Sequence, residues 1–169
     1  MNILIKEKDI LKKVKELGKQ INHDYKNRNP ILIGVLKGAF VFMADLLREI
    51  EIPIEVDFLS IYSYNGKESS GVVRITHDLS LNIENHEVIL VEDIIDTGRT
   101  INYIMENLNT RKPRSLEICA LLNKKNNRVI NVLLRYVGFE IPNVFVVGYG
   151  LDYSNKYRNL RYIGVADDE

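Results

Sequence analysis

Residues 88–100 read VILVEDIIDTGRT, and this stretch constrains the fold more than any other part of the 169-residue sequence. Its first four residues are apolar and three of them are β-branched, which predicts a strand buried on both faces. Apolar residues then recur at helical spacing at Ile101, Ile104, Met105 and Leu108. The order of strand, loop and helix predicts a parallel strand of an α/β sheet, with a helix that begins near Thr100. Ligands bind at the carboxyl ends of such strands.

The loop in this stretch carries groups that suit a phosphate and groups that suit a sugar. The residues around the helix start are Thr97, Gly98, Arg99 and Thr100, which supply hydroxyls, backbone freedom and a positive charge. The unpaired N–H groups at a helix start also favour an anion. Glu92, Asp93 and Asp96 would repel a lone phosphate, but carboxylates accept hydrogen bonds from sugar hydroxyls and bind magnesium. The loop therefore predicts a sugar phosphate that binds together with Mg²⁺.

The rest of the sequence predicts further strands and helices around this one. An amphipathic helix is indicated by five apolar residues on one face: Ile10, Leu11, Val14, Leu17 and Ile21. Buried strands are predicted at 31–36 and 115–122, and a strand with one exposed face at 54–60. Lys37 and Gly38 join the first of these strands to a helix, which predicts a second anion site. We expect His77 and Asp78 to lie in a turn, since neither has a metal-ligand partner at a suitable spacing.

Composition limits the classes of function. Equal numbers of basic and acidic residues give a formal net charge of zero, so no overall basic surface is available for nucleic acid. The single Cys119 lies in an apolar run and is expected to be a buried thiol, which fits a reducing compartment. No apolar run reaches the length of a membrane span or a signal peptide. We expect one cytoplasmic domain over residues 1–169, with neither nucleic acid nor membrane as a partner.

VILVEDIIDTGRT is similar to the phosphoribosyl diphosphate (PRPP) binding motif of the type I phosphoribosyltransferases, and its VEDIIDTG wording resembles that of the hypoxanthine branch. The resemblance implies a mostly parallel central sheet flanked by helices. It also implies a small strand-rich C-terminal hood around 137–160 and a flexible lid around 64–74. The implied activity is purine salvage with Mg²⁺ as cofactor. The enzyme would transfer the 5-phosphoribosyl group from PRPP to hypoxanthine and to guanine, which yields IMP or GMP and pyrophosphate.

The same resemblance assigns a role to individual residues. Asp96 would be the general base, within a PRPP-binding set of Glu92, Asp93, Asp96, Thr97, Gly98, Arg99 and Thr100. Pyrophosphate would bind to Lys37, Gly38 and Arg158. The purine would receive a hydrogen bond from Lys124 at its 6-oxo group, stack on Phe145 and pair with the backbone of Val146. Ser63 and Tyr64 would form the base of the lid, and Mg²⁺ would be positioned by Glu92, Asp93 and Asp152.

The sequence departs from the family pattern in two places and leaves two alternatives open. Arg99 stands where some members have lysine, and residues 126–128 follow the pattern only loosely, so Arg128 is left outside the predicted site. One alternative is a PRPP-sensing regulatory protein of the same fold that binds nucleic acid without catalysis. The other is a xanthine-preferring transferase. The resemblance also implies a homo-oligomer, either a dimer or a tetramer.

Overall fold

The computed structural model describes residues 1–63 and 73–166, which form nine strands and three α-helices. The strands are β1 (Asn2–Ile5), β2 (Ile31–Leu36), β3 (Glu55–Ser63), β4 (Val73–His77), β5 (Glu87–Ile95), β6 (Ser115–Asn123), β7 (Tyr136–Glu140), β8 (Val146–Val147) and β9 (Ile163–Val165). The helices are α1 (Glu7–Asp24), α2 (Phe40–Arg48) and α3 (Arg99–Asn109), and a 3₁₀ turn covers Lys125–Asn127.

Six strands form the central sheet in the order β4-β3-β2-β5-β6-β7. Every neighbouring pair is parallel except β3 and β4, which are antiparallel. The predicted α/β fold with a mostly parallel central sheet is therefore confirmed.

Helices cover both faces of this sheet, as its parallel strands require. Residues of β2 and β5 alternate between two cores: Leu32 and Ile89 pack with α1 and α2, whereas Ile33 and Leu90 pack with α3. Helix α2 leads from β2 to β3, and α3 leads from β5 to β6 on the other face and in the opposite direction across the sheet. The strand order therefore reverses between β2 and β5, and their carboxyl ends diverge into a crevice.

Strand β5 is longer than the sequence predicted. Glu92 and Asp93 were expected in a loop, but both lie within β5, which pairs with β6 as far as Ile95. The reason is that β6 continues to Asn123 and offers backbone partners along this whole length. The prediction of a turn at His77 is also wrong, because this residue ends β4 and pairs with Ser60.

The segment above the crevice differs from the expected hood. The hood was predicted around 137–160. Residues 137–140 of that range instead lie in β7, the parallel edge strand of the central sheet. The hood proper is a small antiparallel sheet in the order β1-β9-β8. Strand β1 comes from the other end of the chain, and pairing between distant segments leaves no local signal in the sequence.

Two further expectations concern burial and membranes. Cys119 is fully buried in the core, as predicted, and burial raises the pKa of its thiol. No helix within residues 1–63 and 73–166 is long and apolar enough to cross a membrane. Most of the predicted lid around 64–74, including Tyr64, lies outside the described residues, as does the acidic tail at 167–169.

Candidate active site

A cleft of about 740 Å³ lies at the carboxyl ends of β2, β5 and β6, beneath the hood. Most of the residues that the sequence singled out line it together: Lys37, Gly38, Glu92, Asp93, Asp96, Thr97, Gly98, Thr100, Lys124, Phe145, Val146, Asp152 and Arg158. They come from segments more than 100 residues apart in the chain. The fold thus gathers the two predicted anion sites and the predicted base site into one cavity.

Of the predicted residues whose side chains the structure describes, Arg99 is not part of this wall. Arg99 is exposed and does not line the cleft, since it lies on the first turn of α3 with its side chain on the outside. Ser63 is the last residue of β3, and Tyr64 lies beyond the described part of the chain. A neighbour that the sequence did not indicate, Tyr62, lines the cleft instead.

The start of α3 is built to face an anion. Gly98 precedes the helix with a φ of 86°, a left-handed conformation that favours glycine, and a side chain here would collide with the carbonyl of Ile130. The loop is fixed from behind, since the Thr97 carbonyl accepts hydrogen bonds from the N–H groups of Val129 (2.8 Å) and Ile130 (3.0 Å). No acidic residue lies in the first turn of α3. The Arg99 N–H donates to the Thr97 hydroxyl at 3.4 Å, and the other N–H groups of that turn together with the helix dipole favour a phosphate.

Glu92 and Asp93 form a buried acidic pair on the floor of the cleft. They are 7% and 8% exposed, and neither makes an ion pair in the described part of the chain. Burial, and next the charge of Asp93, raise the pKa of Glu92 well above its ordinary value, and burial raises the pKa of Asp93. The charge of Arg158 acts on Asp93, but two adjacent carboxylates that form no ion pair with a described residue are costly to bury, so they suit a ligand that supplies hydroxyl donors or a metal ion.

The described residues contain no cluster of three or more Asp, Glu, His or Cys side chains that could hold a metal by themselves. Mg²⁺ usually keeps several waters and binds through one or two carboxylates and the phosphates of the substrate, and Glu92 and Asp93 are carboxylates of this kind in the wall of the cleft. Asp152, the third predicted magnesium residue, instead pairs with Arg158 at 2.7 Å and accepts a hydrogen bond from the N–H of Asn155.

The loop after β2 is held in close contact with both the acidic pair and the hood. The Leu36–Lys37 peptide bond is cis. A side chain at Gly38 would collide with the carboxylate of Asp93, and a side chain at Gly150 would collide with the carbonyl of Gly38. Arg158 donates to the Gly150 carbonyl at 2.7 Å. The positive charge of Arg158 therefore lies beside the Lys37–Gly38 loop, where two cations can face one anionic group.

Asp96 lies across the cleft and has donors on both of its oxygen atoms. The Lys124 ammonium donates to Oδ2 at 3.0 Å, and the side-chain amide of Asn127 donates to Oδ1. The Lys124 side chain is only 8% exposed, whereas that of Asp96 is 42% exposed and open to a ligand. A buried ammonium beside an open carboxylate can donate to one group of a ligand while the carboxylate accepts from another.

The residue just before strand β8 of the hood adds an aromatic surface to the cleft. Phe145 is 50% exposed, and its ring meets that of Tyr153 edge to face, with centroids 5.7 Å apart and an interplanar angle of 80°. Val146 beside it is buried in β8. An exposed aromatic ring that is supported at its edge is a suitable platform for a flat heterocycle.

Two residues near Asp96 were not predicted from the sequence. Asn127 contacts the carboxylate directly, and Arg128 packs against Gly98 and donates to the side chain of Asn123. Burial lowers the pKa of Arg128, while the charge of Asp96 acts in the opposite direction. One terminal nitrogen of Arg128 is buried without a hydrogen-bond partner among the residues that the structure describes. Their nearness to Lys124 in the chain could have indicated a place in the site, but residues 126–128 match the family pattern only loosely, which argued against including them.

Comparisons with known proteins agree with this arrangement. The phosphoribosyl transferase domain model matches residues 3–154. A hypoxanthine-guanine phosphoribosyltransferase of Streptococcus pyogenes serotype M3 is 47% identical over 168 residues, which are 99% of this chain and 93% of that protein. The crystal structure of a hypoxanthine-guanine phosphoribosyltransferase from Bacillus anthracis superposes with a TM-score of 0.94 at 42% identity and covers 99% of both chains. A hypoxanthine phosphoribosyltransferase from Staphylococcus aureus gives 0.94 at 46%, over 99% of this chain and 91% of that one.

Proposed function

This chain belongs to the phosphoribosyl transferase family, and from that premise we propose that its cleft performs the reaction of the hypoxanthine-guanine branch. The enzyme acts in purine salvage: it transfers the 5-phosphoribosyl group from PRPP to hypoxanthine and to guanine, and releases pyrophosphate. The observation that carries this proposal is the pair of Lys124 and Asp96, which are 3.0 Å apart in the same cleft as a helix start suited to phosphate. The two residues offer a donor and an acceptor to the edge of a 6-oxopurine.

PRPP would bind along the floor of the cleft. Its 5-phosphate would meet the N–H groups at the start of α3, with the hydroxyls of Thr97 and Thr100 nearby. Glu92 and Asp93 would accept hydrogen bonds from the ribose hydroxyls, and their burial as a pair supports this role. In this arrangement Arg99 would contribute its backbone at the helix start, since its side chain lies outside the cleft.

The leaving group would be stabilised at the Lys37–Gly38 loop. When the bond from ribose C1 to the diphosphate oxygen breaks, its electron pair stays on the diphosphate and positive charge develops on the sugar. Lys37 and Arg158 lie where they can oppose the negative charge, and fixed cations of this kind stabilise the transition state more than the ground state. Mg²⁺, held by Glu92, Asp93 and Asp152 directly or through water, would neutralise further diphosphate charge when bound.

The purine would bind between Phe145 and Asp96. Its ring stacks on the exposed face of Phe145, its edge meets the backbone at Val146, and its 6-oxo group accepts from Lys124. As a ring nitrogen forms the new bond to C1, the purine loses a proton to Asp96, which acts as general base. Lys124 would thus recognise the 6-oxo group of the purine, and Asp96 would activate the purine by accepting its proton.

Several other features stay proposals. We infer a single domain with a hood and a lid, a cytoplasmic location and a homo-oligomer, either dimer or tetramer. Two alternatives, a PRPP-sensing regulator and a xanthine-preferring transferase, are favoured by no specific contact in the cleft. The zero net charge argues against the first, because nucleic acid would need a basic surface.

The proposal is tested with Lys124→Met. Adenine carries an amino group where hypoxanthine has an oxygen, so the Lys124 ammonium would face a donor without an acceptor between them. Sites that hydrogen-bond a substrate group reject the wrong analogue by about 10⁴–10⁵-fold. We expect kcat/KM for hypoxanthine to fall in Lys124→Met and any trace activity on adenine to change little. Lys125→Met is the matched control, since that lysine is exposed. An unchanged ratio of the two substrates in Lys124→Met would remove this residue from base recognition.

A further inference from the structure

Asp96 is held by more than the lysine that recognises the base. Its Oδ1 accepts from the Nδ2 of Asn127, which lies on the 3₁₀ turn after β6. The backbone of the same turn is fixed, because the Asn127 N–H donates to the Lys124 carbonyl at 3.0 Å and the Lys124 N–H donates to the Ile95 carbonyl at 2.9 Å. The side chain that contacts Asp96 is therefore on a turn that is itself anchored to β5.

The direction of this contact follows from the chemistry of the groups. An ionised carboxylate can only accept hydrogen bonds, so the part of Asn127 that faces Asp96 must be its NH₂ group. Its Oδ1 then points away, and there it accepts from the Nδ2 of Asn143 at 3.3 Å. Asn143 lies two residues before Phe145. A line of hydrogen bonds therefore runs from the segment that carries the aromatic platform, through Asn127, to the carboxylate.

The two donors on Asp96 have different fates when a purine binds. Lys124 is shared, since a 6-oxo group attracts the same ammonium that now donates to Oδ2. Asn127 donates to Oδ1 and is itself held by Asn143, so a purine that attracts the Lys124 ammonium leaves the bond from Asn127 to Asp96 in place. With the Asp96 side chain 42% exposed, water would otherwise compete for that oxygen and allow the carboxylate to rotate. One oxygen would stay fixed by Asn127 while the other turns to the proton of the purine.

We propose that Asn127 is a positioning residue for the base step, acting through Asp96. The inference rests on the proposed function, because it takes Asp96 as the general base. Asn127 holds Oδ1 so that Oδ2 stays aimed at the purine, and Asn143 in turn holds Asn127. Neither asparagine touches the reacting atoms.

The first test compares substitutions at Asn127 with a neighbour. Asn127→Ala removes the donor, and we expect kcat to fall about tenfold, the effect of losing one hydrogen bond to a charged group, with the KM for PRPP within twofold of the parent. Asn127→Asp keeps the shape of the side chain but turns a carboxylate toward Asp96, so kcat falls further than in Asn127→Ala. Asn126→Ala is the matched control, because this exposed residue of the same turn makes no side-chain hydrogen bond among the described residues, and we expect it to keep the parent's kcat.

A merely structural role for Asn127 predicts a different pattern. The isosteric Asn127→Asp would then be tolerated at least as well as Asn127→Ala, or kcat and the affinity for PRPP would fall together. Either result overturns the inference, as does a kcat for Asn127→Ala that equals that of Asn126→Ala. Asn143→Ala should reduce kcat in the same direction and by a smaller factor.

The second test separates this inference from the function on which it rests. Asp96→Asn alone should lower kcat by roughly 10²–10⁴-fold. In that background Asn127→Ala should change kcat by less than about twofold, because a residue that acts through Asp96 has nothing left to position. A tenfold loss in both backgrounds would overturn the positioning role but leave the base in place. Parent-like turnover in Asp96→Asn would instead overturn the proposed role of Asp96 itself.

Discussion

At the scale of single residues, the cleft depends as much on missing side chains as on charges. Gly38 lies against the carboxylate of Asp93, and Gly150 lies against the carbonyl of Gly38, so three segments touch where no side chain fits between them. This contact brings the buried acidic pair, the loop after β2 and the backbone that Arg158 holds into one place. The charges can act on a single ligand because these glycines allow their backbones to approach.

Gly38→Ala tests this dependence. The added methyl would collide with Asp93, so either the loop or the carboxylate must move. A displacement of about 1 Å in a catalytic arrangement can cost roughly 10²-fold, and we expect a loss of that size in kcat/KM for PRPP while the protein stays folded by circular dichroism.

Gly164→Ala provides the control for that measurement. Its methyl meets only the side chains of Met1 at 3.0 Å and of Tyr162 at 3.3 Å, which can adjust, and it lies on the hood sheet. We expect this variant to keep the parent's kcat/KM. Equal kcat/KM in Gly38→Ala and the parent would contradict the importance of the close approach.

Most of the residues that the sequence singled out line the cleft, but the directions of their side chains could not be predicted. Gly98, Asp96 and Lys124 follow strands whose carboxyl ends meet, so their gathering into one cleft could be expected. Arg99 could not be excluded in advance. A shift of the helix start by one residue would change whether its side chain faces the cleft or the solvent. Asn127 could not be included, because its contact depends on the conformation of an irregular turn.

At the scale of secondary-structure elements, a buried carboxylate joins strand β3 of the central sheet to the chain that leads into β5. Asp57 of β3 is 6% exposed and accepts hydrogen bonds at 2.8 Å from the N–H groups of Phe58, Ser80 and Leu81, and one at 3.1 Å from the Ser80 hydroxyl. Burial alone would raise the pKa of Asp57, but these donors outweigh it and lower the pKa below its ordinary value. This residue therefore fastens the connection between β4 and β5.

Asp57→Asn should destabilise the fold by about 1–3 kcal/mol at neutral pH, since an amide oxygen cannot satisfy all of these donors. Because the folded pKa lies below the ordinary 3.8, the carboxylate's contribution is complete above that pH and is lost as the pH falls through the folded pKa. The difference in free energy of unfolding between parent and variant, measured with urea, should stay constant from about pH 5 to 8 and shrink below about pH 4.

Glu55→Gln is the control for Asp57, because it makes the same chemical change at an exposed position of β3. It should leave the free energy of unfolding within about 0.5 kcal/mol of the parent. A difference between the parent and Asp57→Asn that grows as the pH falls would contradict the role given to the carboxylate.

Elements with a strong local pattern were predictable, and elements defined by distant partners were not. Strand β2 and helix α1 follow apolar patterns that are visible within a few residues, and the structure has both where they were expected. The end of β5 is set by β6, and the small sheet is formed by β1, β9 and β8 from opposite ends of the chain. Such pairings depend on tertiary contacts, which no local window of the sequence contains.

At the scale of the whole molecule, the reversal of strand order explains why one cleft can hold three parts of a reaction. The loop after β2 and the loop after β5 diverge at the reversal, which leaves room for a ligand between Lys37 and the start of α3. The end of β6 brings Lys124 to the same edge, and the hood covers it with Phe145. In the proposed reaction, leaving group, sugar phosphate and base would each be bound by a different part of the fold.

The most direct test of this account is product formation from PRPP and Mg²⁺ with each of four purines: hypoxanthine, guanine, xanthine and adenine. We predict nucleoside monophosphate and pyrophosphate in equal amounts with hypoxanthine and with guanine, and a kcat/KM for adenine lower by about 10⁴-fold or more, because Lys124 requires an acceptor at position 6. Efficient use of adenine, or no transfer to any 6-oxopurine, would contradict the account.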